Sequence, residues 1–214
     1  MVIPEGVMDD FINFRPEEAA SQAFLKKYNL QKNYIFYPAQ HWQHKNHLTL
    51  VKAVAYANKK YNLCLKLVLT GEKRPSANEL YDYIDKNGCA GFIRFIGNIS
   101  FDELFYGYYN ALVMAMPSLY ESSSLPVKEA MGIGTPIIAS ANGSNEEINL
   151  DHNIILHQPE NHIDLGEKIF LVYQNKELRK RMSEKSKAII KNYLWDKVAE
   201  KYVSAFQKIY DQKN

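Results

Sequence analysis

Residues 111–129, ALVMAMPSLYESSSLPVKE, contain the pattern that decides the fold of this chain. The apolar run 111–116 predicts a buried strand, and a helical stretch, residues 125–131, begins after a short polar turn. Pro126 suits the first turn of that helix, because a first-turn N–H needs no intrahelical partner. The serines before the helix are residue types that cap free amides. The segment therefore predicts a strand, a polar turn and a helix N-terminus in direct succession.

Such a segment directs backbone N–H groups and the positive end of the helix dipole towards one point, which favours an anion. Glu121 precedes this point and Glu129 lies one turn inside the helix. A ligand with phosphates in its middle and hydroxyls at both ends, such as a nucleotide sugar, would satisfy both carboxylates and the amides. The alternative interpretation is an ordinary strand–turn–helix unit with two solvated glutamates.

The rest of the chain alternates between strand and helix patterns. Strands are predicted at residues 34–37, 65–69, 92–95, 111–116, 136–140 and 153–156, with helices at 17–28, 47–61, 77–86, 101–109 and 125–131. Three further helices follow, at 165–174, 178–191 and 195–209. Strands that are apolar on both faces and separated by helices imply βαβ units and a covered parallel sheet. We predict an α/β fold, a Rossmann-like doubly wound parallel sheet of about six strands with extra C-terminal helices.

Composition limits the classes of protein that fit. The 214 residues suffice for one domain with a core. The 26 basic residues barely exceed the 24 acidic ones, so no nucleic acid partner is expected. Cys64 and Cys89 are interpreted as small core residues in a reducing compartment. No apolar run approaches the ~20 residues of a membrane span, and no secretory signal is evident at the N-terminus, so a cytoplasmic location is expected.

The loop that follows the first predicted strand is PAQHWQHKNH, residues 38–47. Lys45 stands just before a helix start, where its ammonium can lie beside a pyrophosphate. His41, His44 and His47 are spaced like possible metal ligands. However, His47 falls in the helix and His41 in the loop, and no carboxylate or cysteine completes a ligand set. No metal site is therefore expected.

A wider segment, MPSLYESSSLPVKEAMGIGTPIIAS at residues 116–140, resembles the E-x7-E region of retaining glycosyltransferases of family 4, also called group 1. The matching elements are Pro117-Ser118, Tyr120-Glu121, Leu125-Pro126, Glu129-Ala130-Met131 and Gly134-Thr135-Pro136. Members of that family have the GT-B fold, in which two Rossmann-like domains enclose the active site. The resemblance implies that this chain is one half of a GT-B fold, the C-terminal donor-binding half, and that an N-terminal acceptor-binding domain is missing.

This resemblance divides the chain into three parts. Residues 1–16 are expected to be an interdomain linker or arm, because residues 2–7 resemble the interdomain segment of the family. Residues 17–192 would form the nucleotide-sugar-binding Rossmann-like domain. Residues 193–214 would form a C-terminal helix that packs on the missing N-terminal domain.

The resemblance also implies roles for individual residues. Glu121 and Lys45 would be catalytic: Glu121 faces the donor sugar near the reacting centre, and Lys45 neutralises the leaving diphosphate. Glu129 would bind the ribose hydroxyls. The remaining binding residues implied are the backbone amides of Ser123, Ser124 and Leu125 towards phosphate or sugar, and the backbone of Ile99 towards the nucleobase.

The sequence departs from the family pattern at several positions. Gln40 stands where relatives commonly have a phosphate-binding arginine, and by this match it is also expected to be a nucleotide-sugar-binding residue. A single cation, Lys45, would then do most of the charge neutralisation. The three serines 122–124 replace a Gly-aromatic-Gly sequence. In the predicted loop 139–149, Glu147 matches a glutamate of the relatives and Glu146 replaces the proline before it.

The resemblance thus implies the donor-binding domain of a retaining glycosyltransferase. It would transfer a sugar from a nucleotide sugar, such as a GDP- or UDP-sugar, to a glycan or lipid-linked acceptor in surface glycan or polysaccharide synthesis. No cofactor or metal is implied, and the full enzyme would be cytoplasmic or peripheral at the inner face of a membrane. Two alternatives remain open: a non-catalytic nucleotide-sugar-binding module with a separate partner chain, and a GT-B sugar-nucleotide epimerase.

Overall fold

A computed structural model of the chain describes residues 2–212. In that range the strands are β1 Tyr34–Tyr37, β2 Leu67–Thr70, β3 Ile93–Gly97, β4 Ala111–Met116, β5 Ile137–Ser140 and β6 Ile155–His157. The α-helices are α1 Asp10–Asn13, α2 Glu18–Tyr28, α3 His47–Tyr61, α4 Asn78–Lys86, α5 Phe101–Tyr109, α6 Leu125–Ile133, α7 Gly143–Ile148, α8 His162–Gln174, α9 Lys176–Ile189 and α10 Trp195–Asp211.

The six strands form one parallel sheet with the order β3-β2-β1-β4-β5-β6. This is the strand order of a Rossmann-type sheet, so the predicted fold class is confirmed. The direction of winding reverses between β1 and β4. The loops that follow these two strands therefore border the crevice at the carboxyl edge, where ligands bind in open α/β sheets.

Helices cover both faces of the sheet. On one face α3 packs against α8 and α4, and on the other α6 contacts α1, α5 and α9. As a result, every residue of β1, β2 and β5 is buried, and all of β4 except its first residue. Cover on both faces is the physical reason that these strands are uninterrupted apolar runs rather than alternating ones.

Within residues 2–16, Val7 and Phe11 are buried against the domain. Phe11 of α1 is 2% exposed and contacts Phe101, Phe105 and Tyr108. Gly132 of α6 leaves the space for it, since a Cβ there would come within 2.7 Å of the Phe11 Cβ. The short helix α1 was not predicted from the sequence, and the domain boundaries at residues 16 and 192 stay predictions.

The C-terminal helix differs from the other long helices in its cover. Val198 is the buried residue of α10, whereas Val203, Phe206 and Ile209 are 67%, 66% and 53% exposed.

Cys89 is buried, but Cys64 is exposed in the loop after α3, so its interpretation as a core residue was wrong. None of the helices in residues 2–212 combines the length and hydropathy of a bilayer-spanning segment.

Candidate functional site

The loops after β1 and β4 are joined by hydrogen bonds at the carboxyl edge of the sheet. The buried Tyr37 hydroxyl donates to the carbonyl of Lys45 at 3.1 Å and lies 2.8 Å from the Ser118 hydroxyl. The backbone N–H of Leu119 donates to the carbonyl of His44 at 2.8 Å. These bonds fix the loop that contains Lys45 against the turn that contains Glu121. The two segments follow β1 and β4, the strands between which the direction of winding reverses.

Lys45 and Glu121 form an ion pair in this crevice. The Lys45 Nζ donates to Glu121 Oε1 at 2.7 Å, and the two side chains are 19% and 11% exposed. Lys45 ends a short 3-10 turn, and Asn46, at φ 53°, is the N-cap residue before α3. An ammonium has three donors, so two N–H groups of Lys45 remain for a further acceptor. The sequence singled out both residues but did not predict that they contact each other.

The turn before α6 is held by its side chains in a way that the sequence did not predict. The Ser124 hydroxyl lies 2.7 Å from the Ser144 hydroxyl and donates to Asn145 Oδ1. Ser124 makes no side-chain cap on α6, so the prediction that the serines cap this helix is wrong for Ser124. The reason is that α7 places a hydroxyl and a buried amide beside it. In the first turn of α6, Pro126 has no N–H and the Val127 N–H donates to the carbonyl of Ser124 at 3.0 Å. The Leu125 N–H is therefore the free donor of this turn, at the positive end of the helix dipole.

Glu129 lies on the second turn of α6 against a buried tyrosine. The Tyr108 hydroxyl donates to Glu129 Oε2 at 2.7 Å. Burial raises the pKa of the Glu129 carboxyl above 4.5, and the Tyr108 hydrogen bond opposes this rise in part. Tyr108 is fully buried in α5, and sequence reasoning missed it because its surroundings, FYGYY, are typical of any aromatic core helix.

Gln40 links three loops along the same edge. Its Nε2 donates to Asn98 Oδ1 at 3.1 Å, and its Oε1 accepts from the backbone N–H of Glu72 at 2.9 Å. Gly71 permits this approach, because at φ +84° a Cβ would lie 2.6 Å from the carbonyl oxygen of Ala39. Ile99 is half-buried immediately after Asn98. Both polar ends of Gln40 are therefore bonded within the protein, and its loop lies beside the loop that contains Ile99.

The three histidines of the loop after β1 do not converge on one point. The rings of His41 and His47 are tilted by 50° with their centroids 4.6 Å apart, whereas His44 stacks on Tyr120 at 4.9 Å. Burial, and secondarily the neighbouring His41, lowers the pKa of His47 to about 3. Across residues 2–212 no group of three His, Cys, Asp or Glu side chains is placed to hold a metal ion.

The segment after β5, predicted to be a loop, contains the six-residue helix α7. Its buried Asn145 donates to the carbonyl of Ser140 at 2.9 Å and accepts from Ser124. Glu147, which the family pattern singled out, is exposed on this helix. The loops after β4 and β5 are thus bonded to each other, as are the loops after β1 and β4.

Comparison with known proteins identifies a family. A model described as glycosyl transferases group 1 matches residues 20–189. O-antigen chain mannosyltransferase B of Escherichia coli is 25% identical over 199 residues, which are 92% of this chain and 51% of that protein. An uncharacterized glycosyltransferase of Methanocaldococcus jannaschii is 31% identical over 135 residues, 63% of this chain and 37% of that protein. The chain thus spans about half of these curated relatives or less.

Solved structures show the same fold. A glycosyltransferase from Rickettsia africae ESF-5 superposes with a TM-score of 0.85 at 21% identity, over 98% of this chain and 57% of that one. HepE of Anabaena, solved in complex with UDP and glucose, superposes with a TM-score of 0.84 at 16% identity, over 97% of this chain and 57% of that one.

Proposed function

Because this chain belongs to the glycosyl transferases group 1 family, we propose that it binds the nucleotide-sugar donor of a retaining glycosyltransferase. The observation that carries the proposal is the placement of three groups around the N-terminus of α6. The Lys45–Glu121 pair lies at the crevice between β1 and β4, and Glu129 lies one turn inside the helix. This is the edge at which open parallel sheets bind ligands.

Each group has a distinct task in this proposal. Lys45 and the N-terminus of α6, with the Leu125 N–H, meet the diphosphate, since a cation and a helix N-terminus both stabilise an anion. Glu129 accepts hydrogen bonds from the ribose hydroxyls through the oxygen that Tyr108 does not occupy. Glu121, held beside Lys45, faces the sugar near its anomeric carbon. When the bond to the sugar breaks, Lys45 stabilises the charge that develops on the leaving diphosphate.

Relatives indicate which donors to test. The Escherichia coli relative is a mannosyltransferase by name, and HepE was crystallised with UDP. We therefore propose a UDP- or GDP-hexose as donor and a glycan or lipid-linked acceptor of a surface polysaccharide. The nucleotide is expected to bind without a divalent metal, because Lys45 and the N-terminus of α6 supply the positive potential.

Binding is tested by thermal shift with UDP, GDP and ADP and their hexose derivatives, in buffer that contains a chelator. A ligand present at 100 times its Kd stabilises the native state by about 2.7 kcal/mol. At least one of these nucleotides should raise the Tm, and Glu129→Ala should reduce that rise. Absence of a shift with every nucleotide would overturn the proposal.

Catalysis is proposed to need a second domain. The exposed apolar residues of α10, Val203, Phe206 and Ile209, offer a surface for an acceptor-binding N-terminal domain. Holding donor and acceptor in reactive geometry can account for ~7–11 kcal/mol of a barrier. Residues 1–214 alone should therefore bind donor but transfer no sugar, and addition of the N-terminal half, fused or separate, should restore transfer. Efficient transfer by this chain alone would contradict this.

A further inference from the structure

Lys128 is a buried lysine that lies between Glu121 and Glu129 in the sequence. None of the donor-binding roles proposed above involves it. Its side chain is 4% exposed, although it lies in the first turns of α6 beside a polar loop. Burying an ammonium costs several kcal/mol unless hydrogen bonds replace its hydration. A lysine in this position therefore needs compensating partners, and those partners show what it holds together.

The partners of Lys128 come from two segments far apart in the sequence. Its Nζ donates to the Ser123 hydroxyl at 2.8 Å and to the backbone carbonyl of Glu5 at 2.8 Å. It also lies 6.0 Å from the centre of the Tyr193 ring, within cation–π range. One ammonium thus joins the turn before α6 to the N-terminal segment, near Tyr193, which lies two residues before α10.

The N-terminal segment is itself fixed at this point. The backbone N–H of Val7 donates to the carbonyl of Tyr193 at 2.8 Å, and Gly6 lies against Trp195 so closely that a Cβ would come within 2.5 Å of the indole. Lys128 therefore fastens the turn to a segment that is already held, and not to a free chain end.

The turn borders open space into which it could move if this attachment were lost. A cavity of about 550 Å³ lies between the turn and the N-terminal segment, lined by Ser122–Ser124, Glu5, Lys128, Tyr193 and Lys201 among others. On its other side the turn is held by the bonds of Ser124 to Ser144 and Asn145. Without Lys128, Ser123 would keep no side-chain bond and could move into the cavity.

We propose that Lys128 is a positioning residue that fastens the Ser122–Ser124 turn to the N-terminal segment and so sets the shape of the sugar side of the donor site. The consequence for ligands rests on the proposed function: the turn would meet the sugar and phosphate, whereas Glu129 would meet the ribose. Loss of Lys128 should therefore weaken a nucleotide sugar more than the free nucleoside diphosphate.

The test compares three variants by hydrogen exchange of the unliganded chain and by ligand titration. Lys128→Met removes the ammonium but keeps the length of the side chain. Ser123→Ala removes one acceptor at a half-buried surface position, and it keeps the test decisive if Lys128→Met does not fold. Lys201→Met is the matched control, because Lys201 lies 5.8 Å from the same Tyr193 ring without a hydrogen bond to the turn.

We expect Lys128→Met to speed amide exchange in residues 119–126 and 2–7 roughly tenfold or more, as the loss of a charged hydrogen bond predicts. Ser123→Ala should speed exchange in residues 119–126 alone, and Lys201→Met in neither segment. In titration, Lys128→Met should reduce the affinity ratio of nucleotide sugar to nucleoside diphosphate, with the diphosphate affinity within about twofold.

Unchanged exchange in Lys128→Met, or in Ser123→Ala should the first variant not fold, would overturn the proposal whatever the ligands do. Equal weakening of both ligands with faster exchange would overturn its specific effect on the sugar side. If the parent chain bound no nucleotide, the proposed function would fail, and the exchange result would still decide whether Lys128 holds the turn.

Discussion

Glu121 and Glu129 end the same stretch of nine residues, but their surroundings differ in kind. Glu121 lies at the crevice, paired with the ammonium of Lys45 at 2.7 Å. Glu129 lies on α6, where a neutral donor, the Tyr108 hydroxyl, holds one of its oxygens at 2.7 Å. One carboxylate is stabilised by an opposite charge, whereas the other is partly buried beside a phenol that stays neutral.

This difference suggests different behaviour towards a charged ligand. An ion pair at a crevice can exchange partners when phosphates arrive, because Lys45 gains a new acceptor as Glu121 loses a donor. Glu129 forms no ion pair within residues 2–212 and acts as a fixed acceptor. The region around Glu121 should therefore respond to the charge of the ligand, and the region around Glu129 to its hydroxyl groups.

The largest effect is expected for Lys45→Met. The variant loses a charged hydrogen bond to phosphate, worth about 1.5–3 kcal/mol, and leaves the Glu121 carboxylate unpaired beside the ligand, which adds repulsion. Calorimetric titration should show weaker binding of both nucleoside diphosphate and nucleotide sugar. Lys52→Met, on the following helix α3 and beside Tyr83, is the control and should bind like the parent. Parent-like affinity in Lys45→Met would show that the region around Glu121 does not respond to the charge of the ligand.

Glu129→Gln should follow in size. Its amide keeps its one oxygen for the Tyr108 hydroxyl and presents to the ribose an NH2 group, which cannot accept a hydrogen bond. We expect a loss of ~1.5–3 kcal/mol of binding free energy, equal for nucleoside diphosphate and nucleotide sugar, because both contain the ribose. A 2′,3′-dideoxy nucleotide should bind parent and variant alike. If parent and variant bound the dideoxy nucleotide with different affinities, Glu129 would not contact the ribose hydroxyls.

Glu121→Gln should separate the two ligands. Loss of its charge frees Lys45 for the phosphates, so affinity for free nucleoside diphosphate should stay unchanged or rise. Affinity for the nucleotide sugar should fall by about 1 kcal/mol, because a neutral hydrogen bond replaces a charged one. Titration of both ligands against the same protein preparation measures the difference. Equal losses for the two ligands would show that the two glutamates are not specialised.

The smallest effect is a shift in pH dependence. Because the pKa of Glu129 is raised above 4.5, its carboxylate is protonated at a higher pH than an exposed glutamate as the pH falls. Nucleotide affinity should therefore decline on acidification, starting above the ordinary titration range of glutamate. The phosphate also titrates, with a pKa near 6, so the measured quantity is the difference between parent and Glu129→Gln.

Tyr108→Phe sharpens this prediction. The Tyr108 hydrogen bond is what lowers the pKa of Glu129, so its removal should raise that pKa further and move the decline to higher pH. A decline that stays at the parent pH in this variant, or an identical decline in Glu129→Gln, would show that another group controls binding.

The sequence predicted those features that depend on local pattern. Strands β1 and β4 and helices α3 and α5 have the predicted bounds, since apolar runs and helical periodicity are local. The sheet and the fold followed from the alternation of these elements. Among the site residues, Lys45 and Glu121 are brought together, although their binding and catalytic roles stay predictions.

Features that depend on distant contacts were missed. Ser124 turns to Ser144 and Asn145 because α7, a six-residue helix that begins with glycine and lacks an apolar period, packs beside it. Tyr108 and Lys128 acquire their partners from segments tens of residues away or more. Nothing in a single sequence distinguishes a buried lysine that joins two segments from a lysine on a solvated helix face.

The most direct test of the account is a crystal structure of the chain with a UDP- or GDP-hexose bound, grown without divalent metal. We predict the ribose hydroxyls within hydrogen-bond distance of Glu129, the diphosphate at the N-terminus of α6, and the Lys45 ammonium on a phosphate oxygen instead of Glu121 alone. A nucleotide bound elsewhere, such as in the cavity beside Lys201, or a ribose remote from Glu129, would contradict the assignment of this edge as the donor site.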